Sequence, residues 1–433
     1  MNLLMGIMIL GSMLLLSLRF SGVYSPSSLM LAIWFLDFLA QYSFGFYVIE
    51  LKTIMLLTIF ISYFSMGAFF GSSVKFKKST YEWSENKIYN AIKLIFMLLV
   101  IVAPFLYLDI RDNVGFDVDN FTRLVRTYYI TAENTPITIK IAANFSIILV
   151  VLLFVHANIK FPIKFVLIMF ALLSVTATFS KGYFLLMLCY IFSVKIFQNK
   201  RLYSYPHLTY YEKNNNQNRQ LQNQKMNKVN GLCKLNTMKP KSFKTERKRK
   251  MGLSLIVTVL SALLVLILSA VVRDNLDIGT YFRIYFLSSV PAFQMIVNDE
   301  FYFSFPTILG FMKPVYESFG MNIGAIISNN FVEVPDYTNV FTAFGPAFSD
   351  YGFLFTVLYF MVNGFISGIV FKLAKLNYMV FKILYGFVLF AIVTSVFSDA
   401  FALWSTIFNY SLVFLIIHLY ARTKIENRSL TAV

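Results

Sequence analysis

Apolar runs recur from one end of this chain to the other, many of them close to the roughly 20 residues that a helix needs to cross a bilayer. Nothing else in the sequence constrains its fold as strongly. The runs read as helices, because the strands of a membrane β-barrel are short and alternating. Composition agrees. Hydrophobic residues make up 58% of the chain and phenylalanine 48 of 433 positions, while charged residues reach only 14%. Soluble domains carry about 25% charged residues. The sequence therefore predicts an all-α polytopic membrane protein. About eleven transmembrane helices are expected, near 2–18, 28–48, 53–71, 89–108, 138–155, 163–179, 183–198, 251–271, 352–371, 382–398 and 402–420. The first run lacks a basic leader and a small-residue cleavage site, so it reads as a retained helix.

The orientation follows from residues 198–250. This insert holds fourteen lysines and arginines against two acids, Glu212 and Glu246, which leaves it twelve of the chain's seventeen net positive charges. Short loops rich in Lys and Arg stay in the cytoplasm. Its Asn/Gln/Lys composition is that of a disordered segment. With the insert inside, the C-terminus (Arg422, Lys424, Arg428) also falls inside, and an odd span count puts the N-terminus outside. The other inner loops carry Arg19, Lys75, Lys77, Lys78, Lys87, Lys160, Lys164, Lys372, Lys375 and Lys382. The outer loops hold roughly fifteen acids against nine bases. The basic excess is thus a topology signal, and nucleic acid is not an expected partner.

Three regions result. Residues 1–197 form an N-terminal bundle with an outer loop at 109–137. Residues 198–250 form the basic cytoplasmic insert. Residues 251–433 form a C-terminal bundle with a large outer loop at 272–351. Within that loop, Phe282 to Phe319 is rich in Phe, Tyr and Met and broken by Pro291, Pro306 and Pro314. It reads as short amphipathic helices at the membrane surface. The spans 163–179 and 183–198 meet at Phe179-Ser180-Lys181-Gly182, a tight turn that places Lys181 at the floor of an outward-facing cavity.

No Walker loop, dinucleotide fingerprint or His-Glu-x-x-His motif is present. His156, His207 and His418 all map to the inner side, and Cys189 and Cys233 cannot pair. No metal and no cofactor are expected. The chemistry is left to outer cations and acids. Arg123 and Arg126 share a helix face at i, i+3 and suit a phosphate or pyrophosphate, or are solvated or paired with Asp117, Asp119 or Glu133. Arg273 follows a span directly and either snorkels or binds an anion. Arg283 lies in the apolar run Gly279 to Val290, where an unpaired charge is costly. Lys181 meets an anionic substrate group or pairs with Asp37 or Asp399. Asp350, in Phe344-Gly-Pro-Ala-Phe-Ser-Asp-Tyr-Gly352, is either a helix N-cap or a general base for a sugar hydroxyl, with Asp336 and Glu333 as alternatives. Asp37, mid-span, is expected to hydrogen-bond a neighbouring helix.

The pattern resembles the oligosaccharide repeat-unit polymerases, the Wzy type of O-antigen and capsule synthesis. The resemblance rests on the topology, on Thr178-Phe-Ser-Lys181-Gly-Tyr, on the large outer loop opening with Val272-Arg273, and on Asn339-Val-Phe-Thr-Ala-Phe-Gly-Pro-Ala-Phe-Ser-Asp350-Tyr-Gly352. No outer-loop arginine matches the family's arginine-x10-glycine pattern. Lys313 to Gly324 is the nearest spacing, so a loop-shuttle mechanism is not carried over. The resemblance implies a glycosyltransferase of the bacterial inner membrane. It would move a growing glycan from undecaprenyl pyrophosphate onto a new lipid-linked repeat unit, at the outer face. Its partners would be undecaprenyl-pyrophosphate-linked oligosaccharides, the lipid bilayer, a chain-length regulator and a flippase. Arg123, Arg126, Lys181, Arg273 and Arg283 would hold the pyrophosphate and Asp350 would act as base. Three rivals stand beside this reading. They are a flippase or transporter of the same lipid-linked sugar, an O-antigen ligase, which is expected to use an outer-face histidine, and an accessory membrane subunit.

Overall fold

A computed structural model describes residues 2–79, 81–113, 137–156, 159, 161–176, 181–198, 279–280, 283–301, 332–334, 337–338, 340–402 and 404–424. These residues are mostly helical. Helix α1 spans Asn2–Phe20, α2 Pro26–Phe44, α3 Leu51–Ser73 and α4 Glu85–Asn113. Next come α5 (Ile137–Val155), α6 (Phe161–Thr176) and α7 (Lys181–Gln198). A π-helical turn at Arg283–Leu287 leads into α8 (Ser289–Val297), and α9 (Phe344–Lys375), α10 (Met379–Thr394) and α11 (Trp404–Ala421) follow. Five of them, α1, α2, α3, α4 and α9, are long and apolar enough to cross a membrane. Described helices fall on ten of the eleven expected segments, and 251–271 lies outside the described residues. Large apolar side chains stay exposed on α1, α4, α6, α9 and α11, among them Leu15, Leu94, Val166, Leu354 and Ile416. Such a continuous apolar surface suits a lipid environment.

Local chemistry sets the helix ends. Ser25 caps α2, its side chain accepting from Ser28 N at 3.2 Å, and Pro26 occupies the first turn, where its missing N–H costs nothing. Two glycine pairs, Gly67 and Gly71 on α3 and Gly364 and Gly368 on α9, set the closest helix contact. A Cβ at Gly67 would land on the Met361 carbonyl oxygen, and one at Gly71 on that of Phe365. In return, Gly364 meets the Phe64 carbonyl and Gly368 that of Ala68. Rising numbers on one helix match rising numbers on the other, so α3 and α9 run parallel. This is the small-x-x-x-small packing of membrane helices, in which backbones touch. Gly386 of α10 abuts the Tyr190 backbone of α7 in the same way.

The bundle has two distinct ends. At one, strand β1 (Tyr81–Trp83) pairs antiparallel with the strand at Arg422–Lys424 that follows α11. Ser79 N donates to Leu376 O at 3.0 Å, and Tyr378 Oη donates to Lys77 O at 3.2 Å. This strand end therefore gathers the α3–α4 and α9–α10 connections with the residues after α11. At the other, Asn2 Nδ2 donates to Ile49 O at 3.2 Å, which places the start of α1 beside the α2–α3 turn. Helix α8 docks on that same turn. Lys52 Nζ donates to Val297 O at 2.9 Å, Glu50 N to Gln294 Oε1 at 2.8 Å, and Asn298 Nδ2 to Glu50 Oε1 at 3.0 Å.

Helix α8 corrects one expectation. It does not lie on a surface, because every residue from Ser289 to Val297 except Met295 is buried. Its Phe293 ring sits 6.4 Å from Phe60 of α3. The prolines that suggested surface breaks include Pro291, which here occupies the first turn of a buried helix.

Candidate functional site

Helix α9 is two helices. Gly352 has φ 76° and ψ −170°, a conformation that L side chains rarely adopt. Its effect is seen in the rings of Phe344 and Phe360, whose centroids are 4.4 Å apart. In one continuous helix, sixteen residues would separate them by about 24 Å. The half-helix 344–351 therefore folds back along 353–375 and re-enters the bundle. Its inner end is fixed by Ala343 N, which donates to Ser395 O at 2.7 Å. Trp34 Nε1 donates to Ser395 Oγ at 2.9 Å, and the Trp34 ring lies 5.2 Å from Phe344. Trp34 is ten residues, about 15 Å, inside the end of α2. The half-helix thus starts near the middle of the bundle and climbs outward to Gly352.

The same depth holds the α10–α11 connection. Asp399 accepts from Tyr359 Oη at 3.1 Å and from Phe401 N at 3.0 Å, and it is half-buried. Tyr351, Phe355 and Tyr359, four residues apart, form an aromatic ladder from the break down to Asp399. Their successive ring centroids lie 4.4 and 6.1 Å apart. On α2, Asp37 is 7% exposed, and its Oδ2 has no hydrogen-bond partner among the described residues. The hydrogen bond expected for Asp37 to a neighbouring helix is absent at that oxygen. Thr342 Oγ1, fully buried beside the inner end of the half-helix, is also without a partner among the described residues.

The structure places the expected residues unevenly. Arg123, Arg126 and Arg273 lie outside the described residues, as does Asp336. Lys181 is the first residue of α7, and its side chain lies outside the described part. Arg283 opens the π-helical turn. Its Nη2 donates to Thr280 Oγ1 at 2.9 Å, and its guanidinium carbon sits 5.6 Å from the centre of the Phe46 ring. The turn is anchored where Gln41 Nε2 donates to Leu287 O at 3.1 Å. Asp350 is half-buried, two residues before Gly352. It lies inside the half-helix 344–351, and Gly352 separates it from 353–375, so it stands at the N-cap position of neither half. Arg283 and Asp350 share the end of the bundle with the α2–α3 turn.

His156 and His418 both lie at the strand end. Trp83 Nε1 donates to His418 Nδ1 at 2.7 Å. His156 lines a cleft of about 200 Å³ with Tyr81, Glu82, Trp83, Glu85 and Asn377. That cleft is remote from the break at Gly352. Among the described residues, no group of three His, Cys, Asp or Glu side chains is disposed to hold a metal.

Reading the residues missed the Tyr359–Asp399 pair, the ladder and the glycine seam. The four-residue spacing of Tyr351, Phe355 and Tyr359 and the paired Gly-x-x-x-Gly were signals for the last two. No local pattern announced that the half-helix folds back. No family model matches the chain, and neither a curated protein nor a solved structure matches it.

Proposed function

We propose that this protein is a polymerase of lipid-linked oligosaccharide repeat units, an inner-membrane glycosyltransferase with about eleven spans and a cytoplasmic C-terminus. It transfers a growing glycan from undecaprenyl pyrophosphate onto a new lipid-linked repeat unit. The re-entrant half-helix is the observation that carries this reading. It brings carboxylates and aromatic rings together on the side of the bundle away from the basic strand end, where Lys75, Lys77, Lys78, Lys372 and Lys375 collect. A reaction at the outer leaflet needs such groups on the side away from the basic loops. Arg123, Arg126, Lys181, Arg273 and Arg283 supply the charge that a leaving pyrophosphate requires. A carboxylate on that side of the bundle takes the proton of the attacking sugar hydroxyl.

The test is a gel of surface polysaccharide from a strain lacking the gene, with plasmid rescue. Core bearing a single repeat unit, with the ladder lost, is the expected result. An unchanged ladder rules the proposal out. One observation favours a second reading, a transporter of the same lipid-linked sugar. Transporters also build their sites from broken helices at mid-membrane. Bare core with no outer-leaflet intermediate on the gel would select it.

A further inference from the structure

We infer that Asp399, not Asp350, takes the proton of the acceptor hydroxyl, and that Tyr351, Phe355 and Tyr359 form the track along which the acceptor sugar reaches it. This rests on the polymerase reading and names the working residues of that site. The bland alternative is that Asp399 merely caps the short turn Ala400–Ala402 through its bond from Phe401 N.

Three observations weigh against the bland alternative. Asn or Ser caps a turn as well as Asp does, without a charge. Asp399 lies at the level of Tyr359, seven residues inside the break, and an ionisable group at such depth is costly and marks function by default. Its carboxylate is also held from two sides, by Tyr359 Oη at 3.1 Å and Phe401 N at 3.0 Å. That fixes its direction, as a base that must meet one hydroxyl requires. The ladder supplies the approach. Tyr351 is exposed at the rim, Phe355 and Tyr359 are half-buried, and the Phe355 and Tyr359 rings lie 14° from parallel. Aromatic faces of this kind offer large apolar area with a polar tip where Tyr is used.

The acceptor O–H bond breaks and its proton passes to the Asp399 carboxylate. The freed oxygen bonds the anomeric carbon of the growing glycan. The bond from that carbon to the lipid pyrophosphate breaks, and the pyrophosphate leaves with the electron pair. Tyr359 is a positioning residue, donating to the carboxylate that accepts the proton.

The experiment uses the full chain in proteoliposomes with a lipid-linked repeat unit, and scores ladder formation across pH for Asp399→Asn, Asp350→Asn and Tyr359→Phe. Asp399→Asn keeps the cap and removes the base, so a loss of about 100-fold or more is expected. Asp350→Asn should stay within about threefold, below the smallest effect of a lost base. Tyr359→Phe removes a donor to the charged form, so the acid limb of the pH profile should move to higher pH. Asp399→Asn with near-normal activity overturns the inference and leaves Asp399 as a cap. If Asp399→Asn aggregates, an acid limb unmoved in Tyr359→Phe overturns it instead. A wild-type protein that forms no ladder at all counts against the polymerase reading itself, before any variant is scored.

Discussion

The two halves of α9 make an instructive comparison. Residues 353–375 lie against α3 through glycines, backbone against backbone, with no room for a methyl group. Residues 344–351 meet their surroundings through rings instead. Phe344 and Phe348 pack on Trp34, Phe60, Phe293 and Phe360. Backbone contact admits one register, whereas stacked rings tolerate adjustment, since each ring contact is worth only about 1 kcal/mol beyond its area. The seam therefore fixes the frame, and the half-helix is set into it. The lesson is that a single helical label can join a rigid strut to an adjustable insert, with one glycine between them.

That contrast can be broken by substitution. The largest effect is expected at the seam. Gly364→Ala drives a methyl into the Phe64 carbonyl, and a loss of about 3 kcal/mol follows from overpacking a close helix contact; thermal unfolding in detergent measures it. Gly352→Ala should cost less, about 1–3 kcal/mol, from backbone strain alone, because nothing lies within 4 Å of a Cβ there. Its signature is functional, with impaired polymer formation in protein that still elutes as a single species. Should Gly352→Ala unfold the chain as Gly364→Ala does, the two halves are one mechanical unit. Trp34→Phe loses the 2.9 Å bond to Ser395 and leaves a void where the pyrrole ring stood, at about 1–2 kcal/mol. Lys52→Met removes the 2.9 Å tie to Val297 O and should matter least, about 0.5–1 kcal/mol. A larger loss would show that docking of α8, rather than the ring cluster, seats the half-helix.

Much of this frame was legible in the residues because long apolar runs admit few folds. Helix positions needed only hydropathy, and the strand end collects the lysines that the loop pattern assigned to one side. What stayed hidden was tertiary. Phe344 to Lys375 reads as a loop exit and one span, and the fold-back depends on what Phe344 touches sixteen residues on. Asp350 reads as a cap at the exit of the large loop, yet it lies inside the half-helix 344–351, and Gly352 separates it from 353–375. Asp399 is named by the sequence only as a candidate partner of Lys181, and Tyr359 claims it only once two helices are placed. Helix α8 carried the aromatic and proline content of a surface segment, and only docking on the α2–α3 turn buries it.

The parallel seam also has a consequence for how the molecule is made. Gly67 and Gly364 are separated by about two thirds of the length of the chain. At synthesis rates of about 5–20 residues per second, α3 waits roughly 15–60 s for its partner. Throughout that interval a helix whose glycine face suits only one neighbour sits in the bilayer without it. Assembly is therefore timed by the last third of the chain, and a ribosome that stalls after the basic insert leaves behind a frame that cannot close.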